Sequence, residues 1–345
     1  MHAPTIFITG ATGLLGSHLT RLLLARGYDK IIAVRRKNSR MDLLGEAADR
    51  IEWVSGDILD NHALQEGMQN ADWVFHSAGL ISYHPGDAGN MHAINVGGTA
   101  NVVNAALLCG VGKLLHISSV SVLARSGRYQ NVSESTPWQH TRYTSNYGLT
   151  KHLAEKEVQR GIAEGLNASI LIPSIILGAG VWHEGSASIY HRIGKGMPIY
   201  PRGQNGYVDV RDVALLAIRM MEQDQKYRVI ASGHTIGYRE LFSEIAQRLD
   251  APVPKVAVGP VVSEVVWRLM VPIRWTTGKQ PVINKETTRA AQCFPEYDNS
   301  ASLKVPGFRY TPLEKTLDDI AREYQLARKK RFAPGFLDFN GEYLI

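Results

Sequence analysis

Short runs of β-branched and aromatic residues alternate with amphipathic stretches through the first half of the chain. Thr5–Thr9 (TIFIT) reads as a buried strand, and Gly13–Arg26 sets Leu15, Leu19, Leu22 and Leu23 on one helical face, with Gly27 as a stop. Ile31–Val34, Ile51–Val54, Trp73–His76, Leu114–Ser118 and Ser169–Ile172 read as further strands. Asn95–Leu108, closed by Gly110, and Tyr147–Arg160 read as helices. Strands alternating with helices predict an α/β fold, a doubly wound parallel sheet covered on both faces. After Pro173 the rhythm breaks: Gly178, Gly180, Gly185, Gly194, Gly196, Pro198, Pro201, Gly203 and Gly206 punctuate a loop-rich stretch. Helices return at Val210–Glu222, Tyr238–Leu249 and Leu313–Arg331, with a strand near Arg228–Ala231. The expected organisation is a sheet domain over residues 1–172 and a smaller C-terminal α/β lobe over 173–345, with about 204–235 returning to the first domain.

Composition narrows the function classes. The chain has 345 residues, 44% apolar and 20% charged, which fits a globular protein and not long disorder. No run of ~18 apolar residues occurs, so no spanning helix is expected. The apolar N-terminus lacks a basic leader and is broken by Gly10, Gly13 and Gly16, so no signal peptide is expected. Cys109 and Cys293 cannot make a disulfide framework or, alone, a structural zinc site, and no metal is expected. The sequons at Asn131 and Asn167 then read as fortuitous, and the expected compartment is the cytoplasm. Basic residues outnumber acidic ones by 38 to 32, a net charge of +6. The excess gathers at Arg35-Arg36-Lys37 with Arg40, and at Arg328–Arg331. The second cluster ends a predicted helix, where cations favour the dipole, and neither calls for nucleic acid.

The first cluster has a more specific reading. The strand TIFIT runs into Gly10-Ala-Thr-Gly13-Leu-Leu-Gly16 and then a helix. Glycines let backbone approach a pyrophosphate, the helix start offers unpaired N–H groups, and the last glycine allows close helix–strand packing. Gly10, Thr12, Gly13, Leu14, Leu15 and Gly16 therefore form the expected dinucleotide cradle of a Rossmann-type domain. An NAD site places a carboxylate at the end of the second strand, ~20 residues on. Here Arg35 and Arg36 stand there instead, and guanidinium groups suit a 2′-phosphate. NADP(H) is the expected cofactor, with NAD(H) as the alternative. Asp57 and Ile58 follow the third strand where a carboxylate can meet the adenine amino group. Ser77, Ala78 and Gly79 leave the fourth strand with small side chains that allow backbone against the cofactor. His76 reads as an ordered histidine at the core edge.

Tyr147-Gly-Leu-Thr-Lys151 puts a phenol and an ammonium on one helix face. The ammonium favours phenolate, so the phenol can pass a proton to or from a carbonyl oxygen. Upstream, the strand Leu114-Leu-His-Ile ends in Ser118-Ser119, whose hydroxyls can bind the same oxygen or border the cofactor.

Taken together the chain resembles the extended short-chain dehydrogenase/reductases of the epimerase/dehydratase superfamily, over roughly residues 5–250. The matching segments are TGATGLLG at Thr9–Gly16, GDI at Gly56–Ile58, ADWVFHSAG at Ala71–Gly79, NVGGTANVVNAA at Asn95–Ala106, the HISSVSV strand exit, YGLTK, and YVDVRDVA at Tyr207–Ala214. The resemblance implies Ser119 as the carbonyl-binding hydroxyl, Tyr147 as acid/base, and Lys151 on the nicotinamide ribose. It also implies Pro173 and Ser174 beside the nicotinamide, Asn95 as an ordering residue, and a homodimer through the Asn95 and Tyr147 helices. Where family members carry Val-Tyr-Gly, this chain has Val122-Leu-Ala124.

Within the superfamily, Val120-Ser121 stands where 4,6-dehydratases carry Asp-Glu, and Ser169–Gly178 is similar to dihydroflavonol reductases rather than to sugar epimerases. The expected activity is NADP(H)-linked interconversion of a small-molecule carbonyl and alcohol. Sugar-nucleotide epimerisation and a non-catalytic NADP(H) sensor are the alternatives. Leu80, Ser82, Tyr83, Ser119, Val120 and Tyr190 are expected to border the substrate, with Trp182, His183 and Met197 in nearby loops. Val261–Trp275, apolar but carrying Glu264, Arg268 and Arg274, reads as a helix over the pocket, without membrane insertion. The aromatic tail Phe332–Ile345 is expected to pack back on this subunit or a neighbour.

Overall fold

The computed structural model describes residues 3–123, 129–223, 228–259 and 289–344, so Val261–Trp275 lies outside the described residues. Strands β1 (Ile6–Thr9), β2 (Ile31–Arg35), β3 (Glu52–Ser55), β4 (Trp73–His76), β5 (Lys113–Ile117), β7 (Ala168–Pro173) and β11 (Arg228–Ala231) form one parallel sheet. Its order is β11-β7-β5-β4-β1-β2-β3. The order reverses between β1 and β4, where Thr9 sits opposite His76. Ligands of open α/β sheets bind in the crevice above such a switch point.

Alternation within each strand gives the sheet two apolar faces. Ile6, Ile8, Phe75 and Leu115 pack with helices α1 (Leu14–Ala25) and α7 (Val210–Glu222). Phe7, Val74, Leu114 and Ile170 pack on the other face with α2 (Asn61–Met68), α4 (Gly98–Leu108) and α5 (Asn146–Ala163). Helix α2 was not expected, because its mostly polar NHALQEGM hides the period. Its signal is Asp60, whose Oδ1 accepts from the N–H groups of His62 and Ala63 at 3.0 and 3.2 Å. The expected Asn95–Leu108 helix enters through a π-helical turn, His92–Gly97, and turns α-helical only at Gly98.

Of the stretch 204–235, Arg228–Ala231 joins the main sheet beside β7 and α7 covers it. Gln204–Asp209 (β10) instead lies between β8 (Ile175–Leu177) and β12 (His234–Gly237) in a separate three-stranded sheet. Helices α6 (Ala187–Gly194), α8 (Tyr238–Arg248) and Leu313–Lys329 pack together in the lobe. The last of these stops at the second basic cluster, where Arg331 and Phe332 take positive φ. No helix among the described residues is long and apolar enough to cross a membrane.

The aromatic tail folds back onto its own chain. Arg21 of α1 lies over the Phe336 ring at 4.1 Å, and Arg26 donates to the Tyr343 carbonyl at 3.1 Å. His18, wholly buried, donates from Nδ1 to the Leu14 carbonyl (2.8 Å) while Nε2 accepts from the Leu337 N–H (3.2 Å). That pairing requires a neutral ring, and burial, only partly opposed by the Leu14 bond, pulls its pKa down to about 4. The unfolded chain binds this proton near its ordinary value of 6.5 and the folded chain does not. His18 therefore contributes stability above pH 6.5 that is lost as pH falls toward 4, up to about 3 kcal/mol. Denaturant midpoints at pH 7 and pH 4.5 should fall more for the wild type than for His18→Gln; equal slopes would remove this account of the tail's anchor.

Candidate active site

The cradle is built by close backbone approach. Gly10 follows β1 at φ +74, and a Cβ there would lie 2.6 Å from the Ala78 nitrogen. Gly13 N donates to Gly10 O at 3.0 Å and is the residue before α1. No side chain caps this helix and its first turn holds no acidic residue, which leaves its N–H groups and positive dipole end for an anion. A Cβ on Gly16 would lie 2.0 Å from Gly10 O, so the third glycine lets α1 start directly against the loop. Thr12 is half-buried, Leu15 is core, and Leu14 packs against Gly178 and Gly180, so the two leucines offer the cleft backbone.

At the far end of the crevice Arg35 leaves β2 with its guanidinium 5.4 Å from the centre of the Trp53 ring. Arg36 Nε lies 3.8 Å from an oxygen of Asp57, both side chains open to solvent. Asp57 also accepts from the Leu59 N–H at 3.1 Å. Ile58 is buried against Gly98, so only its main chain is available. Across the switch point Ser77 N and Ala78 N donate to Thr9 O and Thr9 Oγ1 at 3.2 and 3.3 Å. His76 is fixed between Thr9 (2.7 Å) and Thr99 (2.9 Å), the ordered core histidine expected.

Asn95 sits in the π-helical turn and clamps the loop after β4. Its Oδ1 accepts from Leu80 N (2.7 Å), and its Nδ2 donates to Leu80 O and Thr150 Oγ1 (both 3.0 Å). Gly79 packs beside that amide. The clamp ties the pocket wall to α5, on which Tyr147 and Lys151 stand.

Strand β5 ends at Ile117, and Ser118 and Ser119 then part. Ser118 Oγ donates to buried Glu155 at 2.5 Å, and Glu155 pairs with Arg228 of β11 at 3.0 Å. Strand alternation turns the Ser118 side chain inward to brace the sheet, so only its main chain is left to border a cofactor. Ser119 opens a turn over Val120–Val122, accepts from Ser121 N at 3.2 Å, and stands near enough to Tyr147 to favour the ionised form of its hydroxyl. Tyr147 is the second residue of α5, whose start is fixed by Ser145 Oγ accepting from Gly148 N at 3.0 Å. A Cβ on Gly148 would meet Ser121 O at 2.6 Å, so this glycine lets the helix and the serine turn meet.

Tyr147 is nearly buried, and burial, with Tyr83 adding to it, holds its hydroxyl well above the ordinary phenol range against the effect of Ser119. Burial, not the expected depression by Lys151, sets the direction here, and the hydroxyl carries its proton, as a donor to a carbonyl must. Lys151 is buried as well, and burial pulls its ammonium down to about 8, opposed by Glu155. Pro173 ends β7 opposite Ala231, and Ser174 follows, buried, its Oγ without a partner among the described residues. An uncapped helix start, a cradle that a Cβ would fill and a spare hydroxyl at the far strand end fit a dinucleotide.

Of the expected substrate residues, Tyr83 stands 6.1 Å from Tyr147, ring centre to ring centre, and Leu80 lies in the wall held by Asn95. Ser82 Oγ is tied to Asp87 at 2.6 Å. The side chains of Val120 and Tyr190 are both buried. Val120 packs into the core beneath the serine turn, and Tyr190 is wholly buried on the apolar face of α6. Trp182 likewise donates to the Ala333 carbonyl at 3.0 Å, and His183 packs on His191. The sequence reading missed His116, Thr150 and Glu155, which reach the site only through pairings between distant elements. No group of residues among those described could hold a metal ion.

The model of the NAD dependent epimerase/dehydratase family matches residues 6–233. The chain belongs to this family. It is an NAD(P)-dependent enzyme of the extended short-chain dehydrogenase/reductase type, with a Rossmann fold. Among curated relatives, sterol demethylase protein B of Methylococcus capsulatus is 26% identical, covering 88% of this chain and 93% of the relative. A putative dihydroflavonol 4-reductase of Synechocystis is 26% identical, covering 94% and 95%. The crystal structure of gox2253 aligns with a TM-score of 0.79 at 26% identity, covering 95% and 99%.

Proposed function

We propose that this family member is an NADP(H)-dependent oxidoreductase that interconverts a small-molecule carbonyl and an alcohol. The observation that carries the reading is the close approach of the Ser119 turn to the start of α5, which sets Ser119 near Tyr147 at the switch-point crevice with Lys151 one helical turn on. The dinucleotide, held by the Gly10–Gly16 loop with Ser77–Gly79, Pro173 and Ser174 along its nicotinamide half, supplies or accepts the hydride. In reduction Ser119 Oγ binds the carbonyl oxygen and aligns it with Tyr147 Oη, which donates the proton completing the alcohol. In oxidation Tyr147 Oη takes the proton back. Lys151 holds the ribose and keeps positive charge beside the phenol, while Asn95 fixes the wall carrying Leu80 and Tyr83. Tyr83 gives the pocket an aromatic side, which suits an apolar or aromatic carbonyl compound. The reading includes a cytoplasmic enzyme, in keeping with Cys109 and Cys293 not being joined as a disulfide, and a homodimer through α4 and α5.

Preference for the 2′-phosphate rests on Arg35 and Arg36 at the end of β2. Arg36 faces Asp57 at 3.8 Å, and Arg35 is open to a phosphate beside the Trp53 ring. A hydrogen bond to a charged group contributes about 1.5–3 kcal/mol. Arg35→Glu should thus lower kcat/KM for NADPH ~10–100-fold while leaving that for NADH equal or higher. An unchanged NADPH/NADH ratio in initial rates would reverse the assignment.

The reading as a whole is tested by following NADPH consumption across a panel of aliphatic and aromatic aldehydes and ketones, with thermal shifts by NADPH and NADH in parallel. Turnover of at least one carbonyl compound, with the larger shift from NADPH, is expected. Binding of NADPH without turnover of any compound would overturn it.

A further inference from the structure

Lys151 is held inside the protein by two acceptors from one strand. Its Nζ donates to the Ile117 carbonyl at 2.7 Å and lies 3.4 Å from Nε2 of His116. Lys151 is 5% exposed and His116 is 0% exposed. An ammonium carries donors only, so the imidazole nitrogen facing it presents its lone pair and the ring proton sits on Nδ1. That Nδ1 has no hydrogen-bond partner among the described residues. A buried unpartnered donor costs stability, and the other tautomer would turn an N–H against the ammonium. An apolar side chain between Leu115 and Ile117 would avoid both costs, so stability does not account for a histidine here.

We propose that His116 is a positioning residue for the reaction: its Nε2 fixes one proton of the Lys151 ammonium while the Ile117 carbonyl fixes a second, which orients the third for the cleft and keeps Lys151 charged at neutral pH. His116 acquires this role only if Lys151 serves the site as proposed above. The titratable and charged groups around the pair come from three elements. His76 on β4 has its ring centre 5.1 Å from that of His116 and is bonded to Thr9 and Thr99. Tyr147 and Glu155 stand one turn before and after Lys151 on α5, and Glu155 is paired with Arg228 of β11. Burial first, and the Lys151 charge second, keep His76 and His116 neutral, so the imidazole stays an acceptor across the working pH range.

The test reads the charge on Lys151 directly in the free, full-length enzyme. Protein labelled with 13Cε-lysine is titrated by NMR, the Lys151 resonance being the one absent from Lys151→Met. In the wild type it should titrate near pH 8. An acceptor bonded to the charged form favours that form, so His116→Leu should lower the midpoint by about one pH unit, roughly tenfold in proton affinity. His116→Gln, which keeps an acceptor near the Nε2 position, should restore most of it. His116→Asn, whose amide ends short of that position, takes the place of the leucine variant if the latter does not fold. With the most active carbonyl compound of the panel, the basic limb of kcat should move down in pH by the same amount in the leucine or asparagine variant. A Lys151 midpoint unchanged in those variants overturns the role of His116. Tyr147→Phe, run alongside, separates the two failures: full turnover in that variant removes the reading of the site, whatever Lys151 does.

Discussion

Tyr147→Phe should lower kcat by ~10²–10⁴, the usual contribution of a positioned proton donor, with NADPH affinity kept within a few-fold. The ring fills the same space beside Tyr83, and only the hydroxyl and its interaction with Ser119 are lost. Removing one buried hydroxyl changes stability by about 1 kcal/mol, so the protein should fold normally. Because Tyr147 is held above the ordinary phenol range by burial, its proton is in place for reduction throughout the neutral range. Alcohol oxidation needs the phenolate, so its rate in the wild type should climb with pH while reduction stays flat until Lys151 loses its charge. Stopped-flow NADPH consumption and equilibrium fluorescence titration measure both halves of the prediction. A Phe variant that turns over at the wild-type rate would dismiss Tyr147 as acid/base.

Gly16→Ala should be the most damaging added methyl group among the described glycines. Its Cβ would stand 2.0 Å from the Gly10 carbonyl oxygen and 2.9 Å from Ala11 Cα, both backbone, so no side chain can move aside. Either α1 must withdraw from the loop or the loop must open, and each movement destroys the alignment of the helix start with the crevice. Overpacking of a close-packed site costs about 1–3 kcal/mol and more where backbone is the obstacle. The expected result is a melting temperature lower by several degrees and loss of the shift that NADPH gives the wild type. Gly27→Ala is a useful contrast, since a Cβ there meets nothing within 4 Å, although φ is +84. It should cost stability through backbone strain and leave the NADPH shift intact. A Gly16→Ala protein with a normal NADPH shift would show that close approach of α1 is dispensable.

The strands of the sheet and the helices that follow glycine turns are legible because period and punctuation are local. TIFIT, GATGLLG and the helix behind them announce one another within twenty residues, and the structure assembles them as written. Ser118 and Ser119 were legible as a pair, and the resemblance chose Ser119 for the carbonyl, but the partner of Ser118 was not legible. That depends on where β5 stops alternating, and on Glu155 waiting 37 residues downstream for the inward one. Tyr190 read as a pocket aromatic because its loop-rich surroundings hid the apolar face of α6, which turns it into the core. Val120 was drawn toward the substrate by its neighbour Ser119, yet the short turn points it inward. The π-helical turn at His92–Gly97 differs from an ordinary helix start in hydrogen bonds alone, and no residue type declares it. His116 shows the limit most clearly. In the sequence it is one polar residue in a buried strand, and its meaning comes from Lys151, 35 residues away, being laid against it by α5.

The central claim is hydride transfer to a carbonyl carbon, and the most direct measurement follows the hydride. NADPH carrying deuterium on both hydrogens of nicotinamide C4 is incubated with the enzyme and the carbonyl panel, and the products are examined by mass spectrometry. The account predicts an alcohol one mass unit heavier than its unlabelled counterpart, in equal amount to the NADP⁺ formed, and at least ~10²-fold less of it with Tyr147→Phe in the same time. No deuterated alcohol from any compound while NADPH binds, or a rearranged substrate with no NADPH consumed, would contradict it.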